Sequence, residues 1–219
     1  FYGQTYISFL REKIKFKYHR NGSNFFFENE KNKNLNFSGT LNTTPFFFNL
    51  QMFIKDLDIN TMQILFSKLE SYVSANFLLN KNFNGDLKLN IQNINDSKYI
   101  KSFDIIANFT NGKINLNKSK IHLNKLGYVE LKKFNISNKK NKVYINSSNL
   151  FKIKNLKEFN RILQLPKKKR IEIENIYFEL DKIILEDGFS LNRVIINNQV
   201  KRTELKTFDL TNNVEKKKY

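Results

Sequence analysis

Apolar and polar residues alternate along most of the chain with the period of two that marks a β-strand with one buried face. The first clear run places Ile14, Phe16 and Tyr18 on one side and lysines on the other. Asn21-Gly22 then supplies the residues of a tight hairpin turn, and Phe25-Phe26-Phe27 opens the returning strand. Similar runs recur about every 10 to 15 residues, so the sequence predicts a mostly β protein.

The alternation is densest between Asn84 and Leu131. Twelve apolar positions there are separated from one another by polar residues, with Asn-Gly turns at Asn84-Gly85 and Asn111-Gly112. The twelve are Leu87, Leu89, Ile91, Phe103, Ile105, Phe109, Ile114, Leu116, Ile121, Leu123, Val129 and Leu131. These runs predict consecutive antiparallel hairpins. Four later pairs extend the series: Val143 with Ile145, Ile171 with Ile173, Phe178 with Leu180, and Leu191 with Ile195.

Two segments have the three- and four-residue spacing of short amphipathic helices. The first runs from Met62 to Val73, after a cap at Asn60 or Thr61. Its apolar face comprises Met62, Leu65, Phe66, Leu69 and Val73. The second runs from Leu156 to Leu163 and ends before Pro166. We expect both helices to lie across the sheet or to close one of its ends.

A long meander of this kind buries only one face of each strand, so something must cover its apolar side. A second sheet would do so in a closed sandwich or barrel, and the apolar positions would then be core. Alternatively, the sheet is a long twisted antiparallel meander that curls into an open groove. Periodicity alone does not distinguish the two. We expect one β unit over residues 1–210 and a charged tail over 211–219, as a fragment of a longer chain because it begins with Phe1.

Composition limits the partners and the chemistry. The formal charge is +18, from 38 Lys and Arg against 20 Asp and Glu. Such a charge favours nucleic acid or acidic lipid head groups. AT-rich coding DNA also produces a heavy use of Lys, Asn, Ile and Phe. The positive charge therefore counts for about half as much as evidence for an anionic partner. The absence of Cys excludes disulfides and thiol nucleophiles. No apolar run approaches the roughly 18 residues of a membrane-spanning helix.

Recognisable catalytic machinery is missing. Phosphate-loop, dinucleotide and nucleophile-elbow motifs do not occur. His19 and His122 lie in strands among lysines, without a second His or Cys at metal-ligand spacing, and are expected to be ordinary surface residues. The acidic residues Asp56, Asp58, Glu172, Glu174 and Asp181 are scattered. The basic run Lys167-Lys168-Lys169-Arg170 could contact phosphate but fits a solvated turn. We predict no enzyme activity, no cofactor and no metal.

Four segments together resemble the C-terminal region of AsmA-like proteins. They are Phe83–Ile91, Phe103–Phe109, Gly112–Leu116 and Ile121–Leu131, which follow a rhythm of G-x-L-x-L, polar loop, alternating strand, G-x-I and paired strand. The resemblance extends over Asn36 to Asn198. The chain lacks the family's N-terminal membrane anchor, and its glycines are sparse.

The resemblance implies a function in lipid transport. It implies a bacterial envelope protein held in the inner membrane by a segment not present in this chain, with a β-groove on the periplasmic side. The groove would shield acyl chains during phospholipid transport and so contribute to outer-membrane homeostasis. The twelve apolar positions would line it, with phospholipid or another lipid as the partner.

Two other functions stay open. A basic nucleic-acid-binding β protein could stack bases on its Phe and Tyr residues. It ranks second because the aromatic residues are expected on the apolar side of the alternation, away from the lysines. A purely structural surface β domain, with a closed core and no groove, is the third.

Overall fold

The alternating runs form strands along most of the chain. The computed structural model describes residues 1–9, 12–30, 32–164, 167, 170, 172–197, 199–201 and 206–208. The strands within these residues are β1 (Tyr2–Phe9), β2 (Glu12–Asn21), β3 (Asn24–Asn29), β4 (Leu35–Thr43), β5 (Phe46–Asp58), β6 (Gly85–Asn95), β7 (Ile100–Thr110), β8 (Lys113–Asn115), β9 (Lys120–Leu123), β10 (Gly127–Lys139), β11 (Lys142–Ile153), β12 (Asn175–Ile183), β13 (Phe189–Ile196), β14 (Gln199–Lys201) and β15 (Lys206–Phe208). The α-helices are α1 (Ile59–Ser74) and α2 (Leu156–Ile162). The prediction of a mostly β fold with two helices is confirmed.

All the described strands belong to one sheet. Its order from edge to edge is β1-β2-β3-β4-β5-β6-β7-β8-β10-β11-β12-β13-β14, and β15 also pairs with β13. β8 and β9 share one position, because each of them pairs with both β7 and β10. The two end strands β1 and β14 do not pair with each other. The described strands therefore do not close into a barrel, and they form no second sheet.

The sheet is antiparallel at every described junction except one. β5 and β6 are parallel, with Leu50 opposite Leu87 and Met52 opposite Leu89. The prediction of an antiparallel meander is wrong at this point. Since α1 and the segment after it carry the chain back along the sheet, β6 runs in the same direction as β5. Parallel neighbours require such a crossover, because a tight turn reverses the chain.

The cap of α1 is Asp58 rather than Asn60 or Thr61. The Asp58 carboxylate accepts hydrogen bonds from the backbone N–H of Thr61 at 2.8 Å and from its hydroxyl. These hydrogen bonds, the hydroxyl's first, hold the pKa of Asp58 below its ordinary value. An ionised carboxylate here also interacts favourably with the helix dipole. At α2, the side-chain oxygen of Asn155 accepts a hydrogen bond from the backbone N–H of Glu158 at 3.0 Å.

Cross-strand register gives the sheet one apolar and one polar face. Ile91 of β6 lies opposite Ile54 of β5 and Phe103 of β7. On β6 and β7, Asn90 lies opposite Asp104. Because side chains alternate between faces, the apolar rows and the polar rows each extend across successive strands.

Glycines let aromatic rings lie close against the sheet on the apolar face. Gly39 lies opposite Phe27, and Gly3 lies opposite Tyr18. A Cβ at Gly39 would stand 2.7 Å from the Phe27 ring and 2.4 Å from the carbonyl oxygen of Asn49. The register of β3 with β4 is unbroken through Gly39. Gly39 therefore allows the Phe27 ring to approach the sheet closely and does not mark a β-bulge.

One predicted strand does not form where it was expected. Ile171 lies outside the described residues, and Ile173 precedes β12. Ile173 is buried with Leu126 and Phe159 beside α2, so this position is apolar because it packs against a helix. Pro166, Lys168, Lys169 and the predicted tail 211–219 also lie outside the described residues.

Candidate functional site

The twelve apolar positions singled out in the sequence come together on the apolar face. Register joins them across strands: Leu89 lies opposite Ile105, Phe103 lies opposite Ile121, and Ile121 lies opposite Val129. Eleven lie within β6, β7, β8, β9 and β10, and Leu116 follows β8 directly. Five of the twelve are buried: Ile91, Phe103, Phe109, Ile114 and Leu131. The other seven are half-buried, and they are Leu87, Leu89, Ile105, Leu116, Ile121, Leu123 and Val129.

α1 lies over part of this face and contacts it at two buried clusters. Met62, near the start of the helix, belongs to a cluster with Ile54, Ile91 and Phe103. Val73, near its end, belongs to a second cluster with Phe109. Half-buried Ile105 packs against both clusters.

The middle of α1 is less closely packed than its ends. Leu69 lies within about 40° of both Met62 and Val73 around the helix axis, because each residue advances by about 100°. Nevertheless Leu69 is 46% exposed, whereas Met62 is 6% and Val73 is 2% exposed. Phe66 on the same side is 45% exposed, and its ring lies edge-on to Phe103 with centroids 5.9 Å apart. The helix therefore leaves accessible apolar surface on the side that faces the sheet.

The apolar face continues past α1 toward α2. Val129 lies opposite Phe151, whose ring meets Phe159 of α2 with centroids 5.9 Å apart. Leu123 and Ile176 pack against the same buried cluster beside α2. Between the two helices the face is thus lined by half-buried aliphatic and aromatic side chains.

Two buried polar residues interrupt this apolar lining. Asn149, 4% exposed, lies opposite Leu131, and Ser147 lies two residues before it on the same face of β11. The Asn149 side-chain amide donates to the Ser147 hydroxyl at 2.9 Å, and that hydroxyl donates to the carbonyl oxygen of Leu180 at 3.4 Å. The amide nitrogen of Asn149 and the hydroxyl of Ser147 both have partners, so this pair forms a hydrogen-bonded polar spot in the lining.

The polar face pairs aspartates with asparagines of the neighbouring strands. The donors and acceptors are Asn93 to Asp56 at 3.0 Å, Asn108 to Asp86 at 2.8 Å, Asn90 to Asp104 at 2.5 Å, and Asn146 to Asp181 at 2.6 Å. None of these hydrogen bonds joins two carboxyl groups, as a catalytic pair sharing a proton would. Glu172 and Glu174 precede β12 and are exposed.

His122 is half-buried on the polar face and interacts with a carboxylate of the neighbouring strand. Its Nε2 lies 2.8 Å from Oδ2 of Asp104, and the other oxygen of that carboxylate accepts the amide of Asn90. The His122 ring lies 5.9 Å from that of Tyr128. Asp104 and His122 are diagonal neighbours across β7 and β9, so only the register of these strands brings them together. The sequence carries no local signal for this cluster.

Several aromatic residues lie on the polar face, contrary to the expected segregation from lysines. In Phe25-Phe26-Phe27 the middle ring must face away from its two neighbours. Phe26 stacks on His19 with centroids 5.4 Å apart, and His19 stacks on Tyr2 at 4.7 Å. These three rings border a cavity of about 960 Å³ that Lys17 also lines. His19 therefore belongs to an aromatic row.

The described residues contain no group of three or more His, Cys, Asp or Glu side chains placed to hold a metal ion. Among the same residues no helix is long and apolar enough to cross a membrane. No protein family, curated protein or solved structure matches this chain at a significant level.

Proposed function

We propose that the chain binds lipid acyl chains on the apolar face, along the strip between α1 and α2, and shields them from water. The observation that carries this proposal is the exposure of Leu69 and Phe66 on the side of α1 that faces the sheet. Half-buried Ile121 and Val129 extend the strip beyond the helix. An open sheet with accessible apolar surface suits a ligand that is long, flexible and non-polar.

The energetics favour such a ligand. Each methylene removed from water contributes about 0.8 kcal/mol, so a 16-carbon chain contributes on the order of 12 kcal/mol when fully shielded. The half-buried residues present apolar atoms without hydrogen-bonding groups that would select one chain over another. We therefore expect the strip to accept acyl chains of different length and saturation. The buried residues, Phe103 among them, support the strip and do not touch the ligand.

The cellular setting is part of the same proposal. We propose an AsmA-like module on the periplasmic side of the bacterial inner membrane, with a role in phospholipid transport and outer-membrane homeostasis. The support is the strand rhythm of residues 83–131. Fractionation of cells that express the complete protein tests this placement, and recovery in the cytosolic fraction would contradict it.

Lipid analysis tests the binding itself. The 219-residue chain, expressed in bacteria and purified without detergent, is examined by native mass spectrometry and its solvent extract by lipid mass spectrometry. We expect co-purifying phospholipid in a defined ratio to protein. A surface-matched soluble protein purified in parallel controls for carry-over. Lipid at the level of that control would refute the proposal.

A second candidate function, nucleic-acid binding, is favoured by the stacked rings of Tyr2, His19 and Phe26 beside Lys17. Bases stack on exposed aromatic rings, and lysines neutralise the phosphates. This function predicts that oligonucleotide binding weakens steeply with salt and is lost in Phe26→Ala. Binding that Phe26→Ala leaves unchanged would reflect the general positive charge of the protein alone.

A further inference from the structure

A basic cavity lies beside α2, at the end of the sheet where β6 turns into β7. Its volume is about 460 Å³, and it is lined by Lys98, Tyr99, Lys101, Asn124, Lys125, Leu126, Glu158, Arg161 and Ile162. One side is formed by residues just before and at the start of β7 together with residues of the turn between β9 and β10, and α2 forms the other side. The cavity is thus built by three segments that are distant in sequence.

The charge of this cavity is strongly positive. Four cations face one carboxylate among its lining residues. That carboxylate, Glu158, is already paired with Arg161, whose guanidinium donates to both of its oxygens. These hydrogen bonds lower the pKa of Glu158, and the charges of Lys125 and Lys98 lower it further. Within the described chain no carboxylate lies within 4 Å of the ammonium groups of Lys98, Lys101 or Lys125.

The cavity adjoins the apolar cluster at the α2 end of the strip. Ile100 follows Tyr99 directly and packs against the cluster that holds Met62 of α1. Ile100 also lies opposite Leu123, which packs with Leu126 of the cavity wall beside α2. Leu126 and Ile162 belong to both the cavity wall and the apolar packing beside α2, so the lysines of the cavity lie next to apolar side chains.

We infer that this cavity binds the phosphate of a lipid head group whose acyl chains lie on the apolar strip. The inference rests on the proposed function and adds the place where the phosphate of the bound lipid lies. Lys98, Lys101 and Lys125 donate charge-assisted hydrogen bonds to the phosphate oxygens, while Arg161 stays paired with Glu158. Ammonium groups suit phosphate at a partly open site, since each is a point charge on a flexible stem.

The experiment compares three water-soluble ligands on the 219-residue chain. They are a short-chain phosphatidylglycerol, a diacylglycerol with the same chains, and glycerol 3-phosphate. Each competes with a fluorescent alkyl probe. The triple variant Lys98→Gln, Lys101→Gln, Lys125→Gln removes the three cations that have no carboxylate partner. A matched control removes three exposed lysines elsewhere: Lys68→Gln, Lys113→Gln, Lys133→Gln.

We expect the unmodified chain to bind phosphatidylglycerol at least about 10-fold more tightly than diacylglycerol, since one charge-assisted hydrogen bond alone gives that factor. The cavity variant should bind both equally, and the control variant should keep the preference. Circular dichroism checks that both variants are folded.

Three results would overturn the inference. The first is equal binding of phosphatidylglycerol and diacylglycerol by the unmodified chain. This result would overturn the phosphate site but leave the proposed binding of acyl chains intact. The second is that the cavity variant keeps the preference for phosphatidylglycerol, or that the control variant loses this preference to the same extent. The third is displacement by glycerol 3-phosphate as complete as by phosphatidylglycerol, which would assign the cavity to free phosphate compounds. If no ligand with acyl chains displaces the probe, the proposed function itself fails.

Discussion

Leu69→Asn tests whether the side of α1 that faces the sheet contacts lipid. Leu69 is 46% exposed although it lies between Met62 and Val73 on the helix. Ile64 is 57% exposed and lies about 200° from Met62 around the same helix, so Ile64→Asn is the matched control. Both changes replace an aliphatic residue by the same amide, with a similar effect on helix propensity.

The magnitude follows from the exposed fraction of Leu69. Complete burial of a leucine side chain contributes about 1.5–3 kcal/mol, so covering its exposed half with an acyl chain contributes about 1 kcal/mol. The Leu69→Asn variant loses this contribution and places an amide without a partner against hydrocarbon, which costs about 1–3 kcal/mol more. The sum of about 2–4 kcal/mol predicts lipid affinity weakened about 30- to 1,000-fold.

Displacement of a fluorescent alkyl probe measures the affinity, and urea denaturation measures stability. We expect Leu69→Asn to bind lipid much more weakly and Ile64→Asn to bind like the unmodified chain. Both should lose about 1 kcal/mol of stability, since each residue is about half buried. Equal affinity of the two variants would refute the reasoning, because it would mean that the Leu69 side of α1 does not meet the ligand.

Two further predictions concern the framework. Phe103→Ala should lower the free energy of unfolding by about 3–5 kcal/mol, because the ring is 4% exposed within the cluster under α1. Urea denaturation measures this loss, and a value below about 1 kcal/mol would contradict the packing. Asp58 has a pKa below its ordinary value, so its ionised form stabilises the folded state. This stabilisation is fully present above the pKa that Asp58 has in the unfolded chain, and it is lost as the pH falls through the lower pKa of Asp58 in the folded state. Asp58→Asn should flatten this acid dependence of thermal unfolding, followed by circular dichroism, and an unchanged acid profile would contradict the role of the cap.

Local patterns were sufficient to predict most of the strands and both helices. The helix spacing of Met62 and Val73 matches α1, and both residues are buried as expected. The cap was missed because an Asp four residues before Met62 can end a strand or begin a helix. Asp58 does both, as the last residue of β5 and the cap of α1.

Other features depend on contacts between distant segments. Asp104 and His122 meet only because β7 pairs with β9, and Lys98 and Arg161 share a cavity only because α2 folds over the end of the sheet. The parallel pairing of β5 with β6 is equally invisible in the sequence, since a strand shows the same alternation whichever direction its neighbour runs.

By itself the sequence determined where most of the strands lie and which apolar positions share a face, because side-chain alternation is a local property of extended backbone. It also determined the positive charge and the absence of thiol chemistry. Only the tertiary structure decided that a single mixed sheet forms and that α1 packs at its ends more closely than at its middle. It also decided which aromatic rings join the lysines, because strand order and register depend on pairing between residues far apart in the chain.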